Sequence, residues 1–591
     1  MKNIAPTLAA TLLLALAGCG ESQPKTNTTN PNESTAKPTA TNQNQTWWKE
    51  TVVYQLYPRS FQDSNGDGEG DLRGIISRLD YLESLGVGTI WLNPIYASPN
   101  DDSGYDISDY RQIQPAFGTM QDFDELLKGM HERGIKLVMD LVVNHSSDEH
   151  EWFKQARSSR TNPYRNYYHW WPAEKGKPTP RWSFFDVNSD AWKYDSLTNS
   201  YYLHYFSRKQ PDLNWENPKL RQEIYSMMRF WLDKGIDGFR LDAFQFASKD
   251  TRFPPLPAGY EKNIIKYYGG GPHLHDYLQE MNREVLSKYN VMTVAEGAGT
   301  GPTDAMLFVD PARKELNMAY HFEGMNIGNG PGGYKLTDFK RIYTRWDSAF
   351  AEKGWLSIYL ASHDQPRMTS KFGDDRPAFR AASAKLLNTF VLSMRGTPYC
   401  YYGDELGMTN IRFDNFQDYR DVETRNGYQR VKSQKGDLTA FLAQAKRTAR
   451  DNGRTPFPWD ATTNAGFTTG TPWLKVNLNY TQLNAAAQDQ DSTSVLNHFR
   501  RATAVRQQHK VLVYGQYQLL DEANPHIYAY TRTQGNEKVL VALNFSSDKR
   551  AWPLPAGMAT KGKPWLNNYP TFAADKALTL QPWQAVVVPL R

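Results

Sequence analysis

Residues 235–244 read GIDGFRLDAF, an apolar, strand-like run that carries Asp242 near its end. Two later stretches repeat this arrangement with Glu296 and Asp364, and they read VMTVAEG (291–297) and LSIYLASHDQ (356–365). A (β/α)₈ TIM barrel places its catalytic side chains at the C-terminal ends of its parallel strands. Cleavage of a glycosidic bond requires two carboxyl groups that flank the reacting atom. Three carboxylates in this arrangement therefore predict a barrel with a set of acids suited to that chemistry at its mouth.

Five further apolar runs have the same strand-like character, and helix-like stretches separate most of them. They are VVYQLYP (52–58), GVGTIWLNP (86–94), GIKLVMDLVV (134–143), ELNMAYHF (315–322) and GTPYCYYGDE (396–405). Alternation of strands with helices is typical of a parallel sheet with crossover helices. We therefore predict an α/β fold whose eight parallel strands close into a barrel.

The alternation is interrupted after the third strand and ends before the C-terminus. Residues 146–215 are polar, aromatic and irregular, and we interpret them as an inserted domain. The barrel itself would then comprise residues 47–145 and 216–510. Residues 511–591 contain short β-type runs separated by turn residues, which predict a C-terminal antiparallel β-sandwich. The runs are VLVYGQYQLL (511–520), IYAYTR (527–532), VLVALNFS (539–546) and AVVVPLR (585–591).

The composition excludes two classes of protein. Hydrophobic residues are 40% and charged residues 22% of the 591 residues, so the body of the chain is globular rather than disordered. The net charge of +5 is small for this length, and no dense run of Lys and Arg occurs. Nucleic acid is therefore not expected as a partner. The sequence does not indicate an oligomeric state.

The N-terminus has the features of a secretory signal. Lys2 precedes the apolar run LAATLLLALAG (8–18), which is too short for an ordinary transmembrane helix, and Cys19 follows it. The sequence LAGC at this point resembles the lipobox of bacterial lipoproteins. The resemblance implies a signal peptide at 1–18, a lipid on Cys19 and a location in the bacterial cell envelope, with the membrane contacted through this lipid only. Residues 19–46, rich in Thr, Asn and Pro, would form a disordered tether. A plain signal peptide with a chance cysteine is the alternative.

Only two cysteines occur, Cys19 and Cys400. If Cys19 carries a lipid, Cys400 has no partner and an intrachain disulfide is not expected. Cys400 lies in the aromatic run PYCYYG, which indicates a small buried apolar residue rather than a catalytic thiol.

Five short motifs together resemble the alpha-amylase superfamily of retaining glycoside hydrolases, and most closely its oligo-1,6-glucosidase and alpha-glucosidase branch. They are DLVVNH (140–145), QPDLN (210–214), GFRLDA (238–243), AEG (295–297) and SHD (362–364). The resemblance extends from about residue 47 to the C-terminus. It implies an enzyme that acts on a small α-glucoside with retention of configuration. A non-catalytic sugar-binding surface protein is a remote alternative, because such relatives typically lose one of the acids that this chain keeps.

The resemblance also implies roles for the acids. Asp242 would be the nucleophile, Glu296 the general acid and base, and Asp364 a third carboxylate that binds sugar hydroxyls. Arg240 is placed among the substrate-binding residues, and it is also expected to keep Asp242 ionised, because a nearby cation lowers the pKa of a carboxyl group. Asp140 is interpreted as a structural acid. Two histidines would bind hydroxyls of the reacting sugar, namely His145 and His363.

Three residues bear on substrate length. Asp102 and Tyr105 lie in NDDSGYD (100–106), and Arg454 lies in NGRTPFPW (452–459). In the relatives, this acid and arginine hold the hydroxyls of the terminal glucose, and the tyrosine stacks under the ring. A charged pair at this place makes directional hydrogen bonds to the hydroxyls of the terminal sugar, which favours binding of a chain end. The resemblance therefore implies an exo-acting enzyme that releases one glucose from a non-reducing end.

The residue after the nucleophile suggests the linkage. Relatives that cleave α-1,6 bonds tend to carry Val there, whereas this chain has Ala243. We therefore expect a preference for α-1,4 bonds. An α-1,6-glucosidase, a sucrose-acting enzyme or a transglucosylating enzyme of the same branch remains the alternative. The RLDRF loop of sucrose isomerases is not seen, because the residues after Asp364 read QPRMTSKFGDD.

The loop DSNGDGEGD (63–71) resembles the start of an EF-hand calcium loop. Position 74 is Gly, so the distal Glu of a full EF-hand is absent. In the relatives this loop binds Ca²⁺ or Mg²⁺ away from the chemistry, which implies a structural ion here. A solvated acidic turn is the alternative. The implied ligands are Asp63, Asn65, Asp67, the main-chain oxygen of Glu69, and Asp71.

Overall fold

The computed structural model describes residues 46–297, 299, 301–330 and 332–591. The predicted signal peptide, the lipid site at Cys19 and all but the last residue of the predicted tether lie outside these residues. In the described part of the chain, no helix combines the length and the apolar character that a membrane span requires.

Eight parallel strands form the predicted barrel. They are β1 Val53–Leu56, β2 Thr89–Leu92, β3 Lys136–Val142, β4 Gly238–Asp242, β5 Met292–Ala295, β6 Met318–Ala319, β7 Ser357–Ile358 and β8 Thr397–Tyr401. Hydrogen bonds join them in the order β6-β5-β4-β3-β2-β1-β8-β7. A single backbone bridge between Ala319 and Leu356 closes the circle. Nearly all strand residues are buried, as expected for a parallel sheet that is covered by helices. The predicted fold class is therefore confirmed.

Crossover helices follow the strands. They are Leu72–Ile76, Leu79–Ser84, Met120–Glu132, Pro218–Lys234, Leu274–Glu284, Pro302–Val309, Leu336–Ala349, Arg380–Ser393 and Val495–Gln508. Local sequence fixes their ends. Thr119 and Asp122 form a reciprocal capping box at the start of Met120–Glu132. Asn217 caps the helix that begins at Pro218, and Gly235 ends that helix in the left-handed conformation.

The long connection after β3 contains its own small sheet. It includes the helix Glu151–Ala156 and three antiparallel strands, with Ser200–Leu203 between Trp170–Pro172 and Trp192–Asp195. The chain then returns to the barrel, because Asp212 forms a backbone bridge with His145 at the end of β3. The QPDLN segment thus packs directly against the DLVVNH segment.

Two other connections contribute to the barrel mouth. After β2, the strands Tyr96–Ala97 and Asp109–Ile113 form a hairpin, and its loop carries Asp102 and Tyr105. The connection after β8 is longer and contains three helices before the last crossover helix, Val422–Ser433, Leu438–Thr448 and Ala485–Gln490. A 3₁₀ turn at Arg450–Asn452 follows the second of these helices.

The C-terminal domain contains two antiparallel sheets. The larger has the strand order Gln516–Leu520, Ile527–Gln534, Glu537–Asn544, Ala585–Pro589, Leu566–Asn567, and the smaller pairs Arg550–Pro553 with Ala577–Leu580. A buried apolar cluster that includes Leu540, Trp552 and Leu578 lies between them. Cys400 is buried in β8, as its aromatic surroundings predicted.

Candidate active site

Arg240 lies at the centre of the barrel mouth and binds three carboxylates. Its Nη1 is 2.5 Å from Asp242 Oδ1 and 2.7 Å from Asp140 Oδ1, and its Nη2 is 2.6 Å from Glu296 Oε1. Tyr320 accepts hydrogen bonds from the same guanidinium group. Asp242 and Glu296 are therefore held side by side on the two terminal nitrogens of one side chain.

Asp140 holds Arg240 in place at the barrel mouth. It is fully buried, and its Oδ2 accepts a hydrogen bond from Trp91 Nε1 at 2.9 Å. Asp140 does not line the cavity that Asp242 and Glu296 share. Its contacts fit the structural interpretation made from the sequence.

The backbone bends sharply after Asp242. Ala243 has a φ of 46°, in the left-handed region that residues other than glycine seldom occupy. In this conformation its N–H donates a hydrogen bond to Glu296 Oε2 at 2.7 Å. Strained backbone of this kind is concentrated at functional sites, and here it directs an amide group at the second carboxyl.

Burial raises the pKa of both carboxyls. Burial raises the pKa of Asp242 to about 7, although the Arg240 cation opposes the change. Burial raises the pKa of Glu296 further, to about 8, because the charges of Asp242 and Asp364 add to it. The sequence led us to expect that Arg240 keeps Asp242 ionised. Arg240 does lower the pKa of Asp242, but burial outweighs it. Of the two carboxyls, Glu296 has the higher pKa.

The surroundings of Asp364 favour its charged form. Burial alone would raise the pKa of its carboxyl, but the contact with His363 and the cations of Arg450 and Arg454 outweigh burial and lower it. Arg450 Nη1 and Arg454 Nη2 lie 3.1 and 3.2 Å from Asp364 Oδ1. Burial lowers the pKa of His363, so its ring is neutral and its Nε2 faces Asp364 Oδ2 at 3.0 Å.

The partner of Asp102 is Arg450, which the sequence analysis did not identify. Arg450 Nη2 is 3.0 Å from Asp102 Oδ1, and both residues line the cavity. Arg454 is only 1% exposed and lies behind the cavity wall, where its Nε donates to the main-chain oxygen of His363. The prediction that Arg454 pairs with Asp102 is therefore wrong. The two arginines are only four residues apart, so the sequence does not show which one faces the cavity. In the structure the 3₁₀ turn Arg450–Asn452 places Arg450 there.

His145 and Tyr105 lie on the same side of the cavity. His145 Nε2 is 3.1 Å from the main-chain oxygen of Tyr105, and burial lowers the pKa of His145 to about 3. The Tyr105 ring stacks on His363 with the centroids 5.0 Å apart. Gln210 of QPDLN donates to Asp102 Oδ2 at 3.2 Å and is also 3.2 Å from His145 Nε2. Of the residues predicted to bind the substrate, Arg240 and Arg454 do not line the cavity, whereas the other four do: Asp102, Tyr105, His145 and His363.

The cavity has a volume of about 430 Å³, within the usual range for small-ligand sites. The ion-paired residues Asp102 and Arg450 belong to its lining. The inserted domain and the connections after β4 and β6 contribute an apolar part of the lining, here called the apolar wall: Phe184, Phe185, Phe206, Phe246, Ile264, Ile265 and Phe322. No sequence pattern indicated this wall, because its members come from three separate connections of the chain.

The loop of residues 63–71 is folded onto its own carboxylates. Asp63 accepts hydrogen bonds from three backbone N–H groups between positions 65 and 68, and Asp71 accepts one from the N–H of Ser64. The Glu69 side chain turns away to pair with Arg59. Over the described ranges, no three His, Cys, Asp or Glu side chains are grouped in the manner of a metal site. The donors at this loop are hard oxygens, the type that Ca²⁺ and Mg²⁺ prefer.

Comparison with known families supports the same interpretation. The alpha amylase catalytic domain model matches residues 55–515, and the alpha-amylase SusG C-terminal domain model matches residues 527–587. The chain is 52% identical to the oligo-1,6-glucosidase of Parageobacillus thermoglucosidasius over 561 residues, which is 92% of this chain and 99% of the relative. It is 44% identical to the trehalose-6-phosphate hydrolase of Bacillus subtilis (strain 168) over 557 residues, or 92% and 98% of the two chains.

Two solved structures have a very similar backbone. Isomaltulose synthase PalI from Klebsiella sp. LX3 gives a TM-score of 0.90 at 46% identity and covers 92% of this chain and 99% of its own. A mutant of MutB in complex with the substrate sucrose gives a TM-score of 0.89 at 45% identity, with 92% and 100% covered.

Proposed function

Because the chain belongs to the alpha-amylase family of glycoside hydrolases, we propose that it is a retaining, exo-acting alpha-glucosidase that cleaves α-1,6 bonds of short glucosides. The observation that carries this proposal is the position of Asp242 and Glu296 on the two terminal nitrogens of Arg240. Retaining enzymes need their two carboxyls about 5–5.5 Å apart, with no room for a water molecule between them. Two groups that share one guanidinium suit that requirement.

The chemistry follows from the two pKa values. Arg240 holds Asp242 Oδ1, so the attack on the anomeric carbon would come from Oδ2 and form a covalent glycosyl-enzyme. Glu296 gives its proton to the glycosidic oxygen, and the leaving sugar departs as an alcohol. The ionised Glu296 then takes a proton from water, whose oxygen attacks the same carbon and displaces Asp242. Two inversions give net retention of the α configuration.

Support for the α-1,6 linkage comes from the relatives. Ala243 led us to expect α-1,4 cleavage, but several relatives at 48–52% identity over most of the chain are oligo-1,6-glucosidases. Ala243 lines the cavity, but a single position weighs less than this group of relatives.

A second candidate is a sucrose-acting transferase. The observation that favours it is the backbone similarity to PalI and to the sucrose complex of MutB. Both functions would use the same glycosyl-enzyme, and they differ only in whether water or a sugar hydroxyl attacks it. The candidates are thus separated by their products.

Initial-rate product analysis with isomaltose, maltose, sucrose and trehalose tests the proposal. We expect isomaltose to give glucose fastest, with α-glucose as the first anomer seen by proton NMR. Faster release from maltose would restore the α-1,4 expectation, and isomaltulose or trehalulose from sucrose would favour the transferase. A β-glucose first product would exclude the retaining mechanism.

The pH dependence of kcat/KM should be a narrow bell. The rate rises with pH as Asp242 loses its proton near pH 7, and it falls as Glu296 loses its proton near pH 8. Since the two groups interact, both apparent pKa values belong to the pair. The measurement is kcat/KM for isomaltose across this range at constant ionic strength. A rate that stays level from below the Asp242 value to above the Glu296 value would contradict this assignment.

Exo-action predicts a large effect of Arg450. Removing its guanidinium in Arg450→Ala breaks the contacts to Asp102, Asp364 and Asp421, so the hydroxyls of the terminal glucose lose charged partners. Charge-assisted hydrogen bonds of this kind justify a fall of about 10²-fold in kcat/KM. Arg425→Ala is the matched control, because Arg425 is exposed on the neighbouring helix. Equal rates for both variants would show that Arg450 does not bind the chain end.

We also propose that the 63–71 loop binds Ca²⁺ or Mg²⁺ as a structural ion. The support is the alternation of oxygen donors on a turn that is closed at both ends by Asp63 and Asp71. An ion at 100 times its Kd would stabilise the folded state by about 2.7 kcal/mol, so a chelator should lower Tm by a few degrees. Asp67→Ala should abolish this shift without altering kcat. Chelator-insensitive Tm together with no bound metal by elemental analysis would favour the solvated turn.

A further inference from the structure

One buried lysine outside the catalytic set contacts three segments of the cavity wall. Lys249 is 4% exposed and follows β4 by seven residues. Its Nζ donates to Asn144 Oδ1 at 3.0 Å and to the main-chain oxygen of Phe246 at 2.6 Å. The same nitrogen lies 3.2 Å from Asp212 Oδ2.

Each of these acceptors is next to a residue of the cavity. Asn144 directly precedes His145. Asp212 forms the backbone bridge with His145 and lies two residues after Gln210, which contacts Asp102. Phe246 is itself part of the apolar wall. One ammonium group therefore links the end of β3, the returning chain of the inserted domain and the connection after β4.

The link depends on the charge of Lys249. The side chains of Lys249 and Asp212 are 1% and 0% exposed. Asp212 Oδ2 has no hydrogen-bond partner in the described residues. Its ion pair with Lys249 therefore offsets the cost of burying this charge. Loss of the lysine would leave Asp212 with only the hydrogen bond that its Oδ1 accepts from the N–H of Tyr205. The segments would then have to move to bring Oδ2 a partner or water.

We propose that Lys249 is a positioning residue, which fixes His145 and Gln210 against the glucose unit and Phe246 against the departing sugar. This inference rests on the proposed function, because it assigns these walls to the two parts of a glucoside. Lys249 itself does not touch the cavity, so its effect on catalysis acts through the groups that it holds.

The test compares two buried lysines. Lys249→Met removes the link, whereas Lys340→Met is the matched control. Lys340 is also fully buried, and its Nζ donates to three main-chain oxygens of the C-terminal domain, at Asp521, Asn524 and Ile527. Both variants are expected to lower Tm. Two further readouts separate them: the Kd of the glucose-shaped amine 1-deoxynojirimycin by calorimetry, and kcat and KM for isomaltose.

We expect Lys249→Met to lower kcat/KM by about 10²-fold, the effect of a small displacement of binding groups, and to raise the Kd of the inhibitor. Lys340→Met should change neither by more than about twofold, because distant sites act independently. A folded Lys249→Met protein with unchanged Kd and kcat/KM would overturn the inference. If Lys249→Met is not recovered folded, Asp212→Asn decides, since it should shift both readouts in the same direction.

The Kd comparison does not require turnover. A wild-type protein that binds the inhibitor but hydrolyses no glucoside would end the proposed function and still test Lys249. Normal hydrolysis by the wild type with unchanged binding in the variants would end the inference alone.

Discussion

Asp242→Asn will lower kcat for isomaltose by about 10⁴-fold or more, the scale on which loss of a catalytic nucleophile acts. An amide is isosteric with the carboxylate but does not form the glycosyl-enzyme. The fold should be retained, because the contact to Arg240 is one of three that this guanidinium makes to acids. The measurement is kcat on protein whose circular dichroism matches the wild type.

Asp237→Asn is the matched control for the nucleophile. Asp237 immediately precedes the same strand, but at the opposite end of the barrel, where it pairs with Lys136 and His131. Residues at that end serve stability rather than catalysis, so this variant should keep its turnover. Near-normal turnover by Asp242→Asn would remove the nucleophile assignment.

Azide identifies the nucleophile by stereochemistry. In Asp242→Ala, azide would attack the anomeric carbon of an aryl α-glucoside from the vacated side and displace the phenolate. The product of this single inversion is β-glucosyl azide. Recovery of α-glucosyl azide instead would mean that another residue forms the covalent intermediate.

Glu296→Gln should lower kcat for isomaltose by about 10³-fold, within the range of 10²–10⁴ for general acid–base catalysis. A sugar leaving group needs the proton of Glu296, whereas a dinitrophenolate does not. Formation of the glycosyl-enzyme from an activated aryl glucoside should therefore be nearly normal, with the intermediate accumulating because no base activates water. The alkaline limb of the pH profile should also disappear, since its source is the raised pKa of Glu296.

The Glu296 experiment has a control variant, Glu315→Gln, and a comparison of sugar with aryl leaving groups. Glu315→Gln changes a buried glutamate that pairs with Arg313 away from the cavity, and it should leave kcat unaltered. An equal loss in Glu296→Gln on sugar and aryl leaving groups would show that Glu296 does not protonate the leaving oxygen.

The sequence predicted the barrel and its acids because both depend on short-range patterns. Apolar runs of strand length mark the eight strands, and a carboxylate near a strand end must lie at the barrel mouth whatever the loops do. Asp242, Glu296 and Asp364 were found in this way. The first C-terminal run, 511–520, shows the limit of such patterns, because its first part is the helix Val511–Tyr514 rather than a strand. A short apolar run does not distinguish the two structures by itself.

The remaining parts of the site depend on contacts between segments far apart in the chain. Arg450 and Asp102 are 348 positions apart, and no local pattern distinguishes Arg450 from Arg454. The apolar wall is assembled from several connections that have no regular secondary structure in common. Which side chains of irregular loops converge is decided by tertiary packing, which composition and periodicity do not encode.

The ion pair of Asp102 and Arg450 in the cavity has a consequence for product release. On the proposed function this pair closes the cavity at the non-reducing end of the substrate, so the released glucose must leave by the opening through which the substrate entered. Both the shortened sugar and the released glucose would then have to dissociate after every bond cleavage. It would not hydrolyse a longer chain processively, and free glucose would compete with the next substrate for the same opening.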